Sequence, residues 1–313
     1  MNLRMVGPED IERTMSITAA ADVLATMFSS AHVPPPAARQ HLPFADGELL
    51  VMTAVNNPES GASSAGVKVV TVRNANLAIG MPSVSAVYVF FGGPALAPLA
   101  LIDGAALTAF RTCAVSALAT RMLAREDASR LVIFGAGAQA AAHLKAMAAV
   151  RPISHVTVIN QNAARASRLI EIGRALDVEV CRGGMADVVE ADIVCTCTTS
   201  ATPVIDGKML SPGTHINAIG SYHPDVRELD DVTARRGRWF VEERVRVFEE
   251  SGDVLLPIAN GEVGAGFVVD DLFGLCRGSR GRTSEEEITI FKSVGLAIED
   301  LAIANALVRA HSD

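Results

Sequence analysis

Apolar and polar residues change period several times along the chain, and each change marks an element. Between Pro8 and Ser30, Ile17, Ala21, Leu24, Ala25 and Phe28 recur at helical spacing. Ser16 is placed to cap that run, and Pro34-Pro35-Pro36 ends it. Period-two alternation then takes over around Gln40–Phe44, Glu48–Thr53 and Gly66–Val72, which predicts strands. Met81 to Ile102 carries no charge and is long enough to cross a bilayer. Gly92-Gly93-Pro94 and Pro98 interrupt it, so Val87–Phe91 and Leu99–Ile102 are expected as a buried β-hairpin and no membrane contact is expected. This part of the chain predicts a helix followed by an antiparallel sheet, without βαβ alternation. Leu107–Ala119 is then a nearly all-apolar helical stretch broken by Arg111.

Beyond it the pattern becomes α/β. Leu131-Val-Ile-Phe reads as a strand buried on both faces, an alanine-rich helix follows to Val150, and His155–Ile159 supplies a second strand. The turn between the first strand and the helix, Gly135-Ala136-Gly137-Ala138-Gln139-Ala140, has the spacing G-x-G-x-x-A. Gly135 permits the tight turn, Gly137 lets backbone approach a pyrophosphate, and the small Ala140 lets helix and strand pack closely. The phosphates of a dinucleotide would sit at the helix N-terminus, beside Ala138 and Gln139, where free N–H groups and the helix dipole favour negative charge. Further strands, Ala191–Thr196 and His215–Ile219, end in small polar residues. Ligands of such sheets lie at the strands' carboxyl ends, which makes Thr198, Thr199 and Ser221 candidate cofactor contacts. His215, at a strand start, suits a structural role better than that of a catalytic acid. Ser284 to Ala310 is predicted as one helix returning to the first domain, with Ser284 and Glu287 matching a capping box.

The second strand is followed by Asn160-Gln161-Asn162, where an NAD-selective site places an acid on the ribose hydroxyls. No acid stands there, and Arg165 and Arg168 follow closely. A 2′-phosphate wants donors and cations, so NADP(H) is the expected cofactor, with NAD(H) the alternative. The formal net charge of −8 argues against a nucleic-acid footprint, and 50% hydrophobic with 20% charged residues in 313 describes a globular chain with a sizeable core. The five cysteines form no C-x-x-C pair, so neither a disulfide framework nor a metal site is expected. No signal-peptide core opens the chain, and a cytoplasmic location is expected.

Arg39, Lys68 and Arg111 each lie among apolar neighbours. A cation buried alone is too costly, so each must be paired within the fold or face an anion. Three of them beside a nucleotide domain favour an anion site, and a carboxylate substrate suits the arginine fork.

These features combine with Gly66-Val-Lys-Val-Val, Leu107-Thr-Ala-Phe-Arg-Thr-Cys-Ala, Ala191-Asp-Ile-Val and Gly213-Thr-His-Ile-Asn-Ala-Ile-Gly. Arg227-Glu-Leu-Asp, Glu250-Ser-Gly-Asp and Glu287-Ile-Thr-Ile-Phe-Lys-Ser-Val-Gly complete the set. Over nearly its whole length the chain resembles the ornithine cyclodeaminase/mu-crystallin family. The resemblance implies an α/β fold: a Rossmann-type doubly wound parallel sheet at 124–282, and a discontinuous α+β substrate and dimerisation domain from 1–123 together with 283–313. It implies a homodimer, with Arg39, Lys68 and Arg111 holding an amino or imino acid by its carboxylate and Thr112 contributing to the cofactor phosphates. Lys68 and Arg111 are the expected catalytic residues. Members resembling true cyclodeaminases carry an Asp two residues after Gly220, and here Tyr222 stands in that place, with Asp225 three residues further on. Ring closure needs an acid–base group there, and a phenol with a reference pKa near ~10 is a poor substitute. The expected activity is therefore NAD(P)H-dependent reduction of a cyclic imino acid, such as Δ1-pyrroline-2-carboxylate or its six-membered homologue. Ornithine cyclodeamination is the alternative, followed by an alanine-type amino-acid dehydrogenase and a nucleotide-binding protein without turnover.

Overall fold

The computed structural model describes residues 3–56 and 63–310. The chain divides into two compact units, one formed by Met1–Thr112 with Gly295–Asp313 and the other by Cys113–Val294. The first division falls inside a single continuous helix and the second just after a strand, so neither coincides with the boundaries expected at 123/124 and 282/283.

In the first unit β1 (Arg4–Val6), α1 (Pro8–Thr14) and α2 (Ile17–Ser29) precede β2 (Gln40–Phe44), β3 (Gly47–Asn56), β4 (Ser64–Val72), β5 (Val84–Gly92) and β6 (Ala97–Asp103). Then comes α3 (Gly104–Leu123). The sheet order is β1-β6-β5-β4-β3-β2, antiparallel except that β1 lies parallel to β6. The sequence reading missed that edge strand, whose three residues are too few to show a period. The expected hairpin is β5–β6. Ser16 caps α2, accepting from the Ala19 N–H at 3.1 Å, and the helix buries Ala20, Ala21, Leu24 and Phe28. Burial in β4 alternates strictly: Ser64, Gly66, Lys68 and Val70 all turn inward, so a lysine occupies a core position.

In the second unit the chain runs through β7 (Arg130–Phe134), α4 (Ala138–Val150), β8 (His155–Ile159), α5 (Ala163–Ala175), β9 (Glu179–Arg182), β10 (Ile193–Thr196) and β11 (His215–Ala218). It continues through α6 (Asp231–Arg236), β12 (Arg238–Val241), α7 (Arg244–Glu250), α8 (Gly252–Ala259), β13 (Val268–Asp271), α9 (Leu272–Cys276) and β14 (Thr289–Lys292). The sheet is parallel, in the order β13-β12-β14-β11-β10-β7-β8-β9. From β7 the chain builds outward through β8 and β9, then resumes at β10 on β7's other side. That reversal makes the carboxyl ends of β7 and β10 the topological switch point. No helix among the described residues is long and apolar enough to cross a membrane.

The single helix expected from Ser284 to Ala310 is two elements. Thr289–Lys292 is the strand β14, inserted between β11 and β12, and the helix α10 begins only at Ala297 and ends at Ala310. All four residues of β14 are buried, so no period distinguishes strand from helix there. Nor does Glu287 cap a helix: its carboxylate accepts from the Thr283 N–H at 2.9 Å and hydroxyl at 2.8 Å. Lys292 ends β14 fully buried, with its Nζ 3.0 Å from Asp253 Oδ2 and donating to the Ser221 carbonyl at 2.7 Å. Removing one partner of a buried pair strands the other charge, at a cost of about 3–5 kcal/mol. Lys292→Met should therefore lower the unfolding free energy from urea titration by an amount in that range, with a lower urea midpoint, whereas an unchanged midpoint would show that Asp253 is not held by this lysine.

Candidate active site

Asp300 is the centre of the first unit's site. It lies on α10, fully buried, and engages two cations from different elements. Lys68 Nζ from β4 is 2.7 Å from Asp300 Oδ2, and Arg111 Nε from α3 donates to Asp300 Oδ1 at 3.2 Å. The neighbouring Glu299 accepts from Arg111 Nη1 at 3.0 Å and from the Leu296 N–H at 3.2 Å. Lys68 also donates to Thr108 Oγ1 at 3.0 Å. Gly295 draws the third cation in. Its carbonyl accepts from Arg39 Nη2 at 2.9 Å, and a Cβ on it would stand 2.6 Å from Arg111 Nη2. With φ at +84°, it is a position suited to glycine on both counts. Arg39, half-buried, is thus tied to the segment against which Arg111 packs, and the structure brings the three predicted cations into one cluster.

Burial pushes the Lys68 ammonium down from 10.5 to about 8, and the nearby Arg111 and Arg39 cations push the same way, while Asp300 opposes them. Near pH 7 Lys68 remains mostly protonated yet is a far better acid than an exposed lysine. The sequence reading named the cations and missed Glu299 and Asp300. Their signal was the same one, an acidic pair inside an otherwise apolar helix.

In the second unit the glycine loop joins β7 to α4. Gly135 has φ +104°, and a Cβ there would run into the Cys197 carbonyl that follows β10, so the fold itself requires this glycine. Gly137, the N-cap of α4, is different: it has φ −90°, and a Cβ would meet nothing within 4 Å. Nothing internal requires glycine here, whereas an approaching pyrophosphate would. Gly137 and Ala138 are exposed, Gln139 is half-buried and Ala140 fully buried, an arrangement that fits a dinucleotide at the N-terminus of α4.

Buried acids fix the neighbouring strand ends. Glu228 accepts from the Thr198 N–H at 2.8 Å, the Thr198 hydroxyl at 2.7 Å, the Gly220 N–H at 2.7 Å and the Thr196 hydroxyl at 2.7 Å. Asp253 accepts from the Ser221 hydroxyl at 2.5 Å. Thr198 and Ser221 therefore spend their hydroxyls inside the protein, while Thr199 is exposed. Thr112 is buried on α3 beside Arg111. His215 lies fully buried against Thr289 Oγ1 at 3.0 Å, and burial pushes it down to about 3, so it stays neutral and cannot serve as an acid. Tyr222 is half-buried against the core, its ring centroid 4.5 Å from that of His223, and Asp225 is exposed.

After β8, the Asn160 side-chain oxygen accepts from the Asn162 N–H at 2.8 Å, and the Asn162 side chain caps α5 by accepting from the Arg165 N–H at 3.2 Å. Gln161, Arg165 and Arg168 are exposed.

Residues 3–312 match the ornithine cyclodeaminase/mu-crystallin family. The chain is 39% identical over 248 residues to the Δ1-pyrroline-2-carboxylate reductase of Paracoccus denitrificans, covering 78% of each chain. The solved structure of the Thermococcus litoralis Δ1-pyrroline-2-carboxylate reductase in complex with NADH and L-proline is similar at TM-score 0.90. It is 32% identical, and the match covers 99% of this chain and 98% of that one. An archaeal alanine dehydrogenase dimer with bound NAD matches at TM-score 0.88 and 27% identity, covering 100% of this chain and 97% of that one. The expectation of NADP(H) is corrected by these findings, since both solved relatives hold the cofactor without a 2′-phosphate. In this chain the exposed arginines on which that expectation rested lie on a solvated face of α5, and Asn162 is committed to capping the helix.

The two loop glycines should separate in experiment. Gly137→Val should weaken NADH binding by fluorescence titration and leave the thermal midpoint in place, whereas Gly135→Ala should lower the midpoint. Unchanged NADH affinity in Gly137→Val would remove this loop from the cofactor site.

Proposed function

The chain belongs to the ornithine cyclodeaminase/mu-crystallin family, and from that premise we propose that it reduces Δ1-pyrroline-2-carboxylate to proline with NADH. The observation that carries this reading is the buried cluster at Asp300. Among the described residues three cations, Arg39, Lys68 and Arg111, gather at two carboxylates, Glu299 and Asp300, a concentration of cationic donors that suits one substrate carboxylate. Arg39 and Arg111 hold that carboxylate through their planar forks.

NADH, when bound, would supply the hydride that C2 of the ring takes up. The ring nitrogen must gain a proton as C=N becomes CH–NH, and Lys68 is the group placed to give it. A pKa of about 8 lets Lys68 part with its proton and regain it near neutral pH. Burial of the cluster excludes water and strengthens each charge interaction within it. Gly135, Gly137, Ala138 and Gln139 would receive the pyrophosphate, Asn160 and Gln161 would flank the adenosine ribose with Arg165, and Thr112, Thr198, Thr199 and Ser221 would complete the cofactor site, Thr198 and Ser221 with their hydroxyls held by Glu228 and Asp253. Tyr222, in the place where cyclodeaminase-like members carry an acid, favours the reductase over the lyase. We extend the proposal to a homodimer, which the archaeal alanine dehydrogenase dimer supports, acting in the cytoplasm.

Purified protein should oxidise NADH only when Δ1-pyrroline-2-carboxylate is added, and should release no ammonia from ornithine with NAD. Lys68→Met should cut kcat by about 100-fold or more while sparing NADH affinity. Absence of imine-dependent NADH oxidation in the unmodified protein, or release of ammonia and proline from ornithine, would contradict the proposal.

A further inference from the structure

Tyr88 is 1% exposed, and its hydroxyl has no hydrogen-bond partner among the described residues. In the β4–β5 register it lies directly opposite Lys68, and side chains of paired residues share one face of the sheet. Gly66, two residues before Lys68, shares that face as well. A Cβ on Gly66 would fall inside the Tyr88 phenol, so the ring lies over Gly66, which leaves room for it by having no side chain. The Ser64 hydroxyl, next in the same inward row, is also buried without a partner among the described residues. The face that carries Lys68 therefore offers more buried hydrogen-bonding capacity than the fold uses among the described residues.

Packing alone does not account for the Tyr88 hydroxyl. Phenylalanine would fill the same volume without burying an unpaired polar group, and such groups in native proteins call for an explanation. We propose that Tyr88 is a further substrate-binding residue, whose hydroxyl donates a hydrogen bond to the carboxylate of the imino acid held at Lys68 and Arg111. This rests on the reading of the site given above.

The carboxylate is the atom group that suits it. Burial, reinforced by Asp300, holds the phenol pKa well above 10, so Tyr88 stays protonated and is too weak an acid to supply the ring nitrogen. Hydrogen bonds to an ionised acceptor are the strong ones, and a neutral donor adds one without altering the charge balance of the cluster. Tyr88 would thus add affinity and orientation, while proton transfer stays with Lys68.

Tyr88→Phe tests this through KM for the imine, the affinity for L-proline in the presence of NAD measured by calorimetry, and the thermal midpoint. KM should rise and L-proline affinity should fall by about ten- to a hundredfold, as expected for one hydrogen bond to a charged group. The thermal midpoint should hold or rise, because an unpaired buried hydroxyl has been removed. Unchanged KM and unchanged L-proline affinity would overturn the proposal, as would a lowered midpoint with KM in place, which is the mark of a merely structural residue. Unmodified protein that neither reduces the imine nor binds L-proline would instead refute the underlying reading of the site.

Discussion

One carboxylate, Asp300, organises the first unit. It is fully buried, and a carboxylate without partners there would carry a desolvation cost of several kcal/mol. It is satisfied only when β4 brings Lys68 and α3 brings Arg111 against α10. This requirement acts together with the apolar residues that α10 buries, among them Ile298, Leu301, Ile303 and Leu307, to hold the last helix against elements formed near the start of the chain. The same contacts hold two cations in a dry setting, where they would otherwise be flexible surface chains. Stability and acidity are coupled here, because burial lowers the Lys68 pKa and the acid that offsets the burial of the cations opposes that fall.

The second unit solves a related problem at its strand ends. Parallel strands finish in backbone N–H groups with no further ladder partner. Glu228 gathers those of Thr198 and Gly220, which follow β10 and β11. Asp253 in turn accepts from the Glu228 N–H at 2.8 Å and the Leu229 N–H at 2.9 Å, and Lys292 on β14 offsets its charge. Loops that would otherwise be mobile are thereby fixed around the switch point, leaving the N-terminus of α4 free to take an anion.

Local features of the fold were legible in the sequence. The loop from Gly135 to Ala140, the β5–β6 hairpin and the cap at Ser16 each follow from a few adjacent residues. The cations were legible too, because a charge among apolar neighbours demands a partner. Their partners were harder to find, since Arg111 and Asp300 are 189 positions apart and no local period links them. β14 read as helix because a strand buried on both faces has no alternation to show. The NADP(H) expectation rested on the missing acid after β8 and on Arg165 and Arg168 close by in sequence, and it is overturned by the solved relatives, which hold NADH and NAD.

In the proposed mechanism Lys68 gives the proton, burial lowers its pKa and Asp300 opposes that fall, and a pH–rate profile tests this most directly. Reduction needs the protonated lysine, so kcat/KM for the imine with NADH should be high below about pH 8 and fall as pH rises through it. Asp300 raises the Lys68 pKa, so Asp300→Asn should move that falling limb to lower pH, while titration of the substrate itself is common to both proteins. A limb at the same pH in both proteins, or no limb between about pH 7 and 9 in the unmodified enzyme, would contradict the account.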